Sequence, residues 1–254
     1  MNGLNDKIAL VTGGSRGLGR NAALHLARAG ADVLLTYRSK KEEAEETVAA
    51  IEALGRKAAA LPLDVESTAG FGAFAAEVAR VLKEKWGRER FDFLVNNAGV
   101  GSTAPFPEMT EEKFDLLLNV QFKGVYFLTQ KLLPLLNDGG RIVNLSTGLA
   151  RFTVPGYSAY AAMKGAVETL SRYLAKELGP RRINVNLVAP GPIETDFTKE
   201  SLGRPGFKDF LAGQTALGRV GVPDDIGGVV AFLCSEEGRW VNAQRVEASG
   251  GLFI

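Results

Sequence analysis

Short apolar, β-branched runs alternate along this chain with longer segments whose apolar positions recur every three or four residues. The short runs predict strands over 8–12, 32–37, 58–63, 91–96, 141–145, 183–189 and 245–248. The longer segments predict helices over 18–29, 40–54, 67–86, 110–136, 158–178 and 224–234. Punctuation agrees with this order. Gly30, Gly55 and Gly179-Pro180 stand where helices should stop. Ser67 and Thr110 stand where helices should start, and Glu111 opens the first turn after Thr110. A β-α-β-α order needs crossover connections, and right-handed crossovers place helices on both faces of a parallel sheet. The pattern therefore predicts an α/β chain with a single-domain, doubly wound parallel sheet of Rossmann type, about seven strands wide. No linker, repeat or low-complexity tract divides residues 1–254. The stretch 191–222 is rich in glycine and proline and has no clear period. It follows a strand's carboxyl end, so a substrate lid is expected near 192–221.

Composition narrows the classes of function. With 46% hydrophobic and 23% charged residues, the chain can build its own core. Thirty basic against 29 acidic residues leave a net charge of +1, which offers no basic field for nucleic acid. Cys234 is the sole cysteine, so no internal disulfide forms, and a reducing compartment is expected. The polar start over 1–7 and the break of the first apolar run at Gly13 and Gly14 do not read as a secretory leader. No apolar run is long enough to span a membrane, so the expectation is a cytoplasmic protein without a membrane partner. One histidine, His25, and one cysteine make no metal site and no histidine-based triad. The run Lys40-Lys41-Glu42-Glu43 reads as a solvated helix face.

Two constellations carry chemistry. Gly13, Gly17 and Gly19 punctuate the turn from the first strand into the first helix, with Ser15, Arg16 and Leu18 between them. Glycines let a backbone turn tightly and approach a pyrophosphate, and the helix N-terminus supplies free N–H groups. A plain strand-to-helix turn would also use glycine, so the loop alone decides nothing. The end of the second strand adds to it. An acidic residue there would pair with the ribose 2′-hydroxyl of NAD and repel a 2′-phosphate. This chain has Arg38, Ser39 and Lys40 instead, and guanidinium groups bind phosphate bidentately. The cofactor expected is NADP(H), unless Arg38 and Lys40 are merely solvated surface charges. The second constellation is Tyr160 with Lys164, four residues apart at the start of a helix and so on one face. A nearby ammonium favours phenolate, which is expected to lower the tyrosine's pKa from its ordinary value near 10. Tyr160 could then exchange a proton with a substrate oxygen. An exposed pair on a helix surface would have the same spacing.

Taken in order, Thr12-Gly13-Gly14-Ser15-Arg16-Gly17-Leu18-Gly19, Asn96-Asn97-Ala98-Gly99, Tyr160-Ala161-Ala162-Met163-Lys164 and Pro190-Gly191-Pro192-Ile193-Glu194-Thr195 resemble the motifs of the short-chain dehydrogenase/reductase family. The likeness runs from Lys7 to Gly251. It implies that Arg16 joins Arg38 at the 2′-phosphate, that Asp64 and Val65 bind the adenine, and that Asn97, Ala98 and Gly99 line the adenosine ribose. It implies that Pro190, Gly191, Ile193 and Thr195 hold the nicotinamide amide. It places Tyr160 as acid/base, with Lys164 tuning it and holding the ribose. A hydroxyl 13 positions before the tyrosine falls on Thr147, with Ser146 beside it as the alternative. Asn119, a polar residue in the apolar run 116–120, is implied to support a water relay, or it makes only a structural hydrogen bond.

The activity implied is NADP(H)-dependent interconversion of a carbonyl and a secondary alcohol on a small-molecule substrate. Within that class the chain resembles the 3-oxoacyl-[acyl-carrier-protein] reductases. An acidic carrier partner would want basic residues at the end of the long helix, yet 132–140 reads Leu-Leu-Pro-Leu-Leu-Asn-Asp-Gly-Gly, with Lys131 alone before it. A non-catalytic NADP(H)-binding regulatory protein is the other class, and Tyr160, Lys164 and Asn119 stand against it. The ending from Trp240 to Gly251 resembles the family's subunit-contact strand, with Ala243 where glycine is usual, and implies a homotetramer.

Overall fold

Seven parallel strands form one sheet in the computed structural model, which describes residues 3–254. Residues 1 and 2 of the expected domain lie outside the described residues. The strands are β1 (Ile8–Val11), β2 (Asp32–Tyr37), β3 (Ala58–Pro62), β4 (Phe91–Asn96), β5 (Leu136–Leu145), β6 (Asn184–Pro190) and β7 (Arg245–Ala248). They lie in the order β3-β2-β1-β4-β5-β6-β7. The chain winds outward from β1 to β3, returns to lay β4 on the other side of β1, and winds outward again. That reversal leaves a crevice between the carboxyl ends of β1 and β4, where successive loops diverge.

The helices are α1 (Gly17–Arg28), α2 (Lys41–Glu52), α3 (Phe71–Val81), α4 (Glu111–Leu118), α5 (Gly124–Leu132), α6 (Ser158–Glu177), α7 (Lys199–Leu202), α8 (Phe207–Gly213) and α9 (Asp224–Cys234). Successive strand residues point to opposite faces, so one strand feeds two cores. Ala9, Val11, Val33 and Leu35 pack with Leu26 of α1, Ile51 of α2 and Val230 of α9. Ile8, Leu10 and Leu34 pack on the other face with Phe71 and Val78 of α3, Leu128 of α5 and Ala175 of α6. Each fully buried leucine or phenylalanine contributes about 1.5–3 kcal/mol. A sheet covered on both faces needs apolar residues at every strand position, which is why its strands read as unbroken apolar runs.

The expected elements are all present, and several boundaries move. Ser67 makes no capping hydrogen bond, and a tight turn over Thr68–Gly70 leads into α3 instead. Thr110 does cap α4, its hydroxyl accepting from Lys113 N at 3.3 Å. The long helix expected over 110–136 is not continuous. It widens into a π-type turn over Asn119–Lys123 between α4 and α5. It leaves the helical path after Leu132, because Pro134 has no N–H to continue the ladder. β5 therefore starts at Leu136, and its pairing with β4 is irregular between Phe91 and Phe93. The stretch read as irregular over 191–222 holds α7 and α8, short helices whose glycine punctuation hides them.

A chain of buried amides pins the middle of the sheet to the helices. Asn96 Nδ2 donates to Thr129 Oγ1 at 3.0 Å and to Asn144 Oδ1 at 2.8 Å. Asn144 Nδ2 donates to Ser171 Oγ at 2.8 Å, and that hydroxyl donates to Val167 O at 2.8 Å. Asn96 and Asn144 are 5% and 1% exposed, so neither has water as a substitute partner. Asn144→Leu strands polar groups of Asn96 and Ser171, and is expected to destabilise the protein by about 2–4 kcal/mol. The check is the urea midpoint at unchanged m-value, and a loss below about 0.5 kcal/mol would remove the chain's structural role.

Candidate active site

The loop between β1 and α1 sits where only glycine fits. Gly13 has φ 64°, and a Cβ there would lie 3.0 Å from Ala98 Cα. A Cβ on Gly19 would run into Gly13 O and the Asn97 side chain. The loop is clasped to β4. Asn97 N and Ala98 N donate to Thr12 Oγ1 at 2.9 and 3.0 Å, and Asn97 Nδ2 donates to Thr12 O and Gly13 O at 2.9 and 3.1 Å. It is also held to β2, with Gly14 N donating to Thr36 O at 2.8 Å. The bare backbone of Gly13, Gly17 and Leu18 thus faces the crevice with the N-terminus of α1 behind it. This cradle fits a dinucleotide pyrophosphate in shape and in polarity.

One cleft of about 920 Å³ runs from this loop to Tyr160 and Lys164. Ser15, Arg16, Arg38, Ser39, Asp64 and Val65 line one end. Asn97, Ala98 and Gly99 lie along its side, and Pro190, Gly191, Ile193 and Thr195 approach from β6. Thr147, Tyr160 and Lys164 line the other end. Arg38 is exposed and has no carboxylate partner among the described residues, whereas Lys40 pairs with Glu43 at 3.5 Å. Arg16 instead pairs with Asp196 of the lid at 3.3 Å. Asp64 accepts from Glu66 N at 3.0 Å, which fixes the turn after β3.

The structure separates Thr147 from Ser146. Both line the cleft, but Ser146 Oγ donates to Glu168 Oε1 at 2.5 Å and so has its proton committed. Thr147 Oγ1 accepts from Leu149 N at 3.3 Å, so its own proton stays free to donate. Behind them runs an ionic network. Arg245 pairs with Glu168 and Glu247, both at 2.7 Å, and its guanidinium donates to Thr147 O at 2.9 Å. Arg151 makes a bidentate pair with Glu247 at 2.8 Å and donates to Leu252 O at 2.9 Å. No sequence signal marked this network, because Arg151, Glu168 and the pair Arg245 and Glu247 come from three separate segments.

Lys164 Nζ lies 5.8 Å from the centroid of the Tyr160 ring and donates to Leu145 O at 2.8 Å. Burial pushes the Tyr160 phenol well above its ordinary value, and the nearby Tyr157 adds to the rise. Burial pulls the Lys164 ammonium down to about 8. The Y-x-x-x-K spacing predicted a lowered phenol pKa. In the protein alone desolvation wins, because the ammonium is itself starved of solvent and spends a hydrogen bond on a backbone carbonyl.

Asn119 is half-buried at the π-type turn between α4 and α5, outside the residues that line the cleft. Gln121, two residues on, does line it, at 1% exposure. Its Nε2 donates to Val100 O at 2.5 Å, and its Oε1 is buried without a partner. Two positions along a helix rotate a side chain by about 200°, so choosing between two polar residues in one apolar run required the position of the widened turn. Phe197 is another cleft residue the sequence left unassigned. Its ring stands 6.3 Å from that of Tyr160, and a Cβ on Gly101 would lie 3.3 Å from it.

The comparisons with known proteins agree with this geometry. The profile of the family described as Enoyl-(Acyl carrier protein) reductase matches residues 13–253. An uncharacterized oxidoreductase of Methylorubrum extorquens is 40% identical over 253 residues, covering 99% of this chain and 100% of that protein. The tetrahydroxynaphthalene reductase PfmaG of Pestalotiopsis fici is 38% identical over 257 residues, covering 96% and 91%. Among solved structures, the angucycline C-6 ketoreductase LanV with bound NADP superposes with a TM-score of 0.94 at 38% identity, covering 99% of this chain and 97% of its own. LanV has also been solved with NADP and rabelomycin, and superposes with a TM-score of 0.90 at 37% identity, covering 99% and 98%.

The buried ammonium has a measurable signature. Lys164 binds its proton less tightly folded, near 8, than its ordinary value of 10.5. Between these values the unfolded chain keeps a proton that the folded chain loses, so stability rises with pH across that window. Relative to Lys164→Met, the cofactor-free wild type should gain about 3 kcal/mol between pH 7 and 10.5. Urea unfolding of both proteins across the pH series checks this, and a pH-independent difference would contradict the burial cost.

Proposed function

This chain belongs to the short-chain dehydrogenase/reductase family, and we propose that it is an NADP(H)-dependent ketoreductase that reduces flat aromatic ketones. The observation that carries the reading is the single cleft joining the glycine loop and Arg38 to Thr147, Tyr160 and Lys164. The fit to NADP(H) rests on the bare backbone of Gly13 and Gly17 facing the cleft and on a guanidinium at the end of β2 where an acidic residue would select NAD. NADP bound to LanV supports it. The aromatic class rests on Phe197 facing Tyr160 and on the Phe152–Phe253 pair, whose rings meet at 4.9 Å on the wall of the same cleft. The names of the tetrahydroxynaphthalene reductase and of LanV point to the same chemistry.

The residues divide the work. NADPH, when bound, supplies the hydride to the substrate carbonyl carbon. The Thr147 hydroxyl, oriented by the N–H of Leu149, donates to the carbonyl oxygen and polarises it. Tyr160 holds its proton firmly at neutral pH, which suits an acid that gives it to that oxygen as the alcohol forms. Lys164 anchors to Leu145 O, which leaves its other N–H groups free to hold the cofactor's ribose. Phe197, its ring 6.3 Å from that of Tyr160, offers an aromatic face to a substrate at that end of the cleft. The reverse reaction uses the same groups, with Tyr160 taking the proton.

An assay of NADPH consumption against a panel of carbonyl compounds tests this. The wild type should reduce a bicyclic aromatic ketone with a higher kcat/KM than a linear 3-oxoacyl thioester. Tyr160→Phe should lower kcat on every substrate by roughly 10²- to 10⁴-fold while NADPH still binds, since only the proton donor is lost. Turnover within about tenfold of wild type would exclude Tyr160 as the acid. A preference for the linear thioester would move the protein to the acyl-carrier class.

A further inference from the structure

The lid touches the opposite wall of the cleft through one charged contact. Among the described residues, Arg16–Asp196 is the only ion pair between the lid and the glycine loop. The other pairs of the lid stay within it or at its base: Lys208 with Glu194 at 3.0 Å, Arg204 with Glu200 at 3.8 Å, and Arg219 with Asp225 at 2.7 Å. The base itself is stitched shut, because Glu194 N donates to Gly221 O and Gly221 N to Pro192 O, each at 2.9 Å. Thr195 N is held by Thr198 Oγ1 at 3.1 Å. Asp196 therefore hangs from a fixed hinge, and its carboxylate takes the guanidinium of the phosphate-facing loop.

We propose that Asp196 is a built-in competitor of the cofactor's 2′-phosphate for Arg16, and so a determinant of how strongly the protein prefers NADP(H) over NAD(H). This rests on the NADP(H) reading above. Arg16 and Arg38 line the same end of the cleft, and the glycine loop is tied to the carboxyl end of β2 by Gly14 N on Thr36 O and Gly13 N on Thr36 Oγ1. Among the described residues Arg38 has no counter-ion to surrender, whereas Arg16 has one. A dianionic phosphate arriving between them has to take Arg16 from Asp196. NAD(H) brings the same pyrophosphate and no 2′-phosphate, so any effect of Asp196 on the shared part of the cofactor cancels in the comparison. Both partners of the pair are more than half exposed, at 54% and 64%. The exchange therefore adjusts affinity without setting it.

The test is equilibrium binding of NADPH and NADH, followed by cofactor fluorescence, to wild type and Asp196→Asn. The expected result is NADPH bound about two- to fivefold more tightly by Asp196→Asn, the range an exposed ion pair can supply, with NADH unchanged. High salt should shrink the gain, because the competing pair is screened. NADPH affinity unchanged or weakened in Asp196→Asn overturns the proposal. A gain shared equally by NADH also overturns it, since Asp196 would then act on the lid or on the pyrophosphate. A wild type that binds NADH at least as tightly as NADPH removes the cofactor reading, and the proposal falls with it. A wild type that prefers NADPH but is unmoved by Asp196→Asn removes the proposal alone.

Discussion

The hydroxyl of Thr12 and the side-chain amide of Asn97 join the carboxyl end of β1 to that of β4 across the point where the sheet reverses its winding. Four hydrogen bonds converge there, and Thr12 is 1% exposed. Each such bond contributes only about 1 kcal/mol net, but removing a partner orphans buried N–H groups at about 1–3 kcal/mol each. The contact also sets the shape of the crevice. It draws the glycine loop so close to Ala98 and Asn97 that Gly13 and Gly19 tolerate no side chain. The cradle for phosphate and the end of β4 are therefore one rigid unit, and the rest of the site is positioned relative to it.

From that unit outward, the cleft is graded in charge. Arg16 and Arg38 give one end its positive character, while the catalytic end is poor in solvent and holds Tyr160 and Lys164 under a desolvation penalty. The ionic network of Glu168, Arg245, Glu247 and Arg151 lies behind the reacting groups, and it fixes the backbone of Thr147 through its carbonyl. The same network reaches Leu252 O and so sets the C-terminal wall on which Phe253 packs against Phe152. Desolvation keeps the tyrosine protonated, and a proton donor is what carbonyl reduction requires.

The fold was legible because a parallel sheet covered on both faces writes itself as apolar runs separated by amphipathic segments. Candidate site residues were legible where a residue type recurs at fixed spacing: glycine where Gly13 turns with positive φ, and Tyr160 with Lys164, which line one end of the cleft. What stayed hidden depended on irregular backbone or on contacts distant in sequence. Asn119 and Gln121 look alike in an apolar run, and only the widened turn after α4 tells which faces the cleft. Ser146 and Thr147 are adjacent hydroxyls, and only Glu168, 22 positions after Ser146, shows which one is occupied. The sign of the tyrosine's pKa shift depends on burial, which spacing does not encode. Ala243 shows the converse. It stands where the family resemblance expects glycine, and its backbone adopts the left-handed φ of 59° that favours glycine.

The central claim is that this cleft carries hydride from NADPH to a ketone. Single-turnover reaction of the protein with NADPH carrying deuterium at both nicotinamide C4 positions and a bicyclic aromatic ketone tests it most directly. The account predicts an alcohol with one deuterium on the former carbonyl carbon, and NADP as the other product. An alcohol without deuterium at that carbon, or deuterated NADPH recovered intact beside unreacted ketone across the aromatic panel, would contradict it.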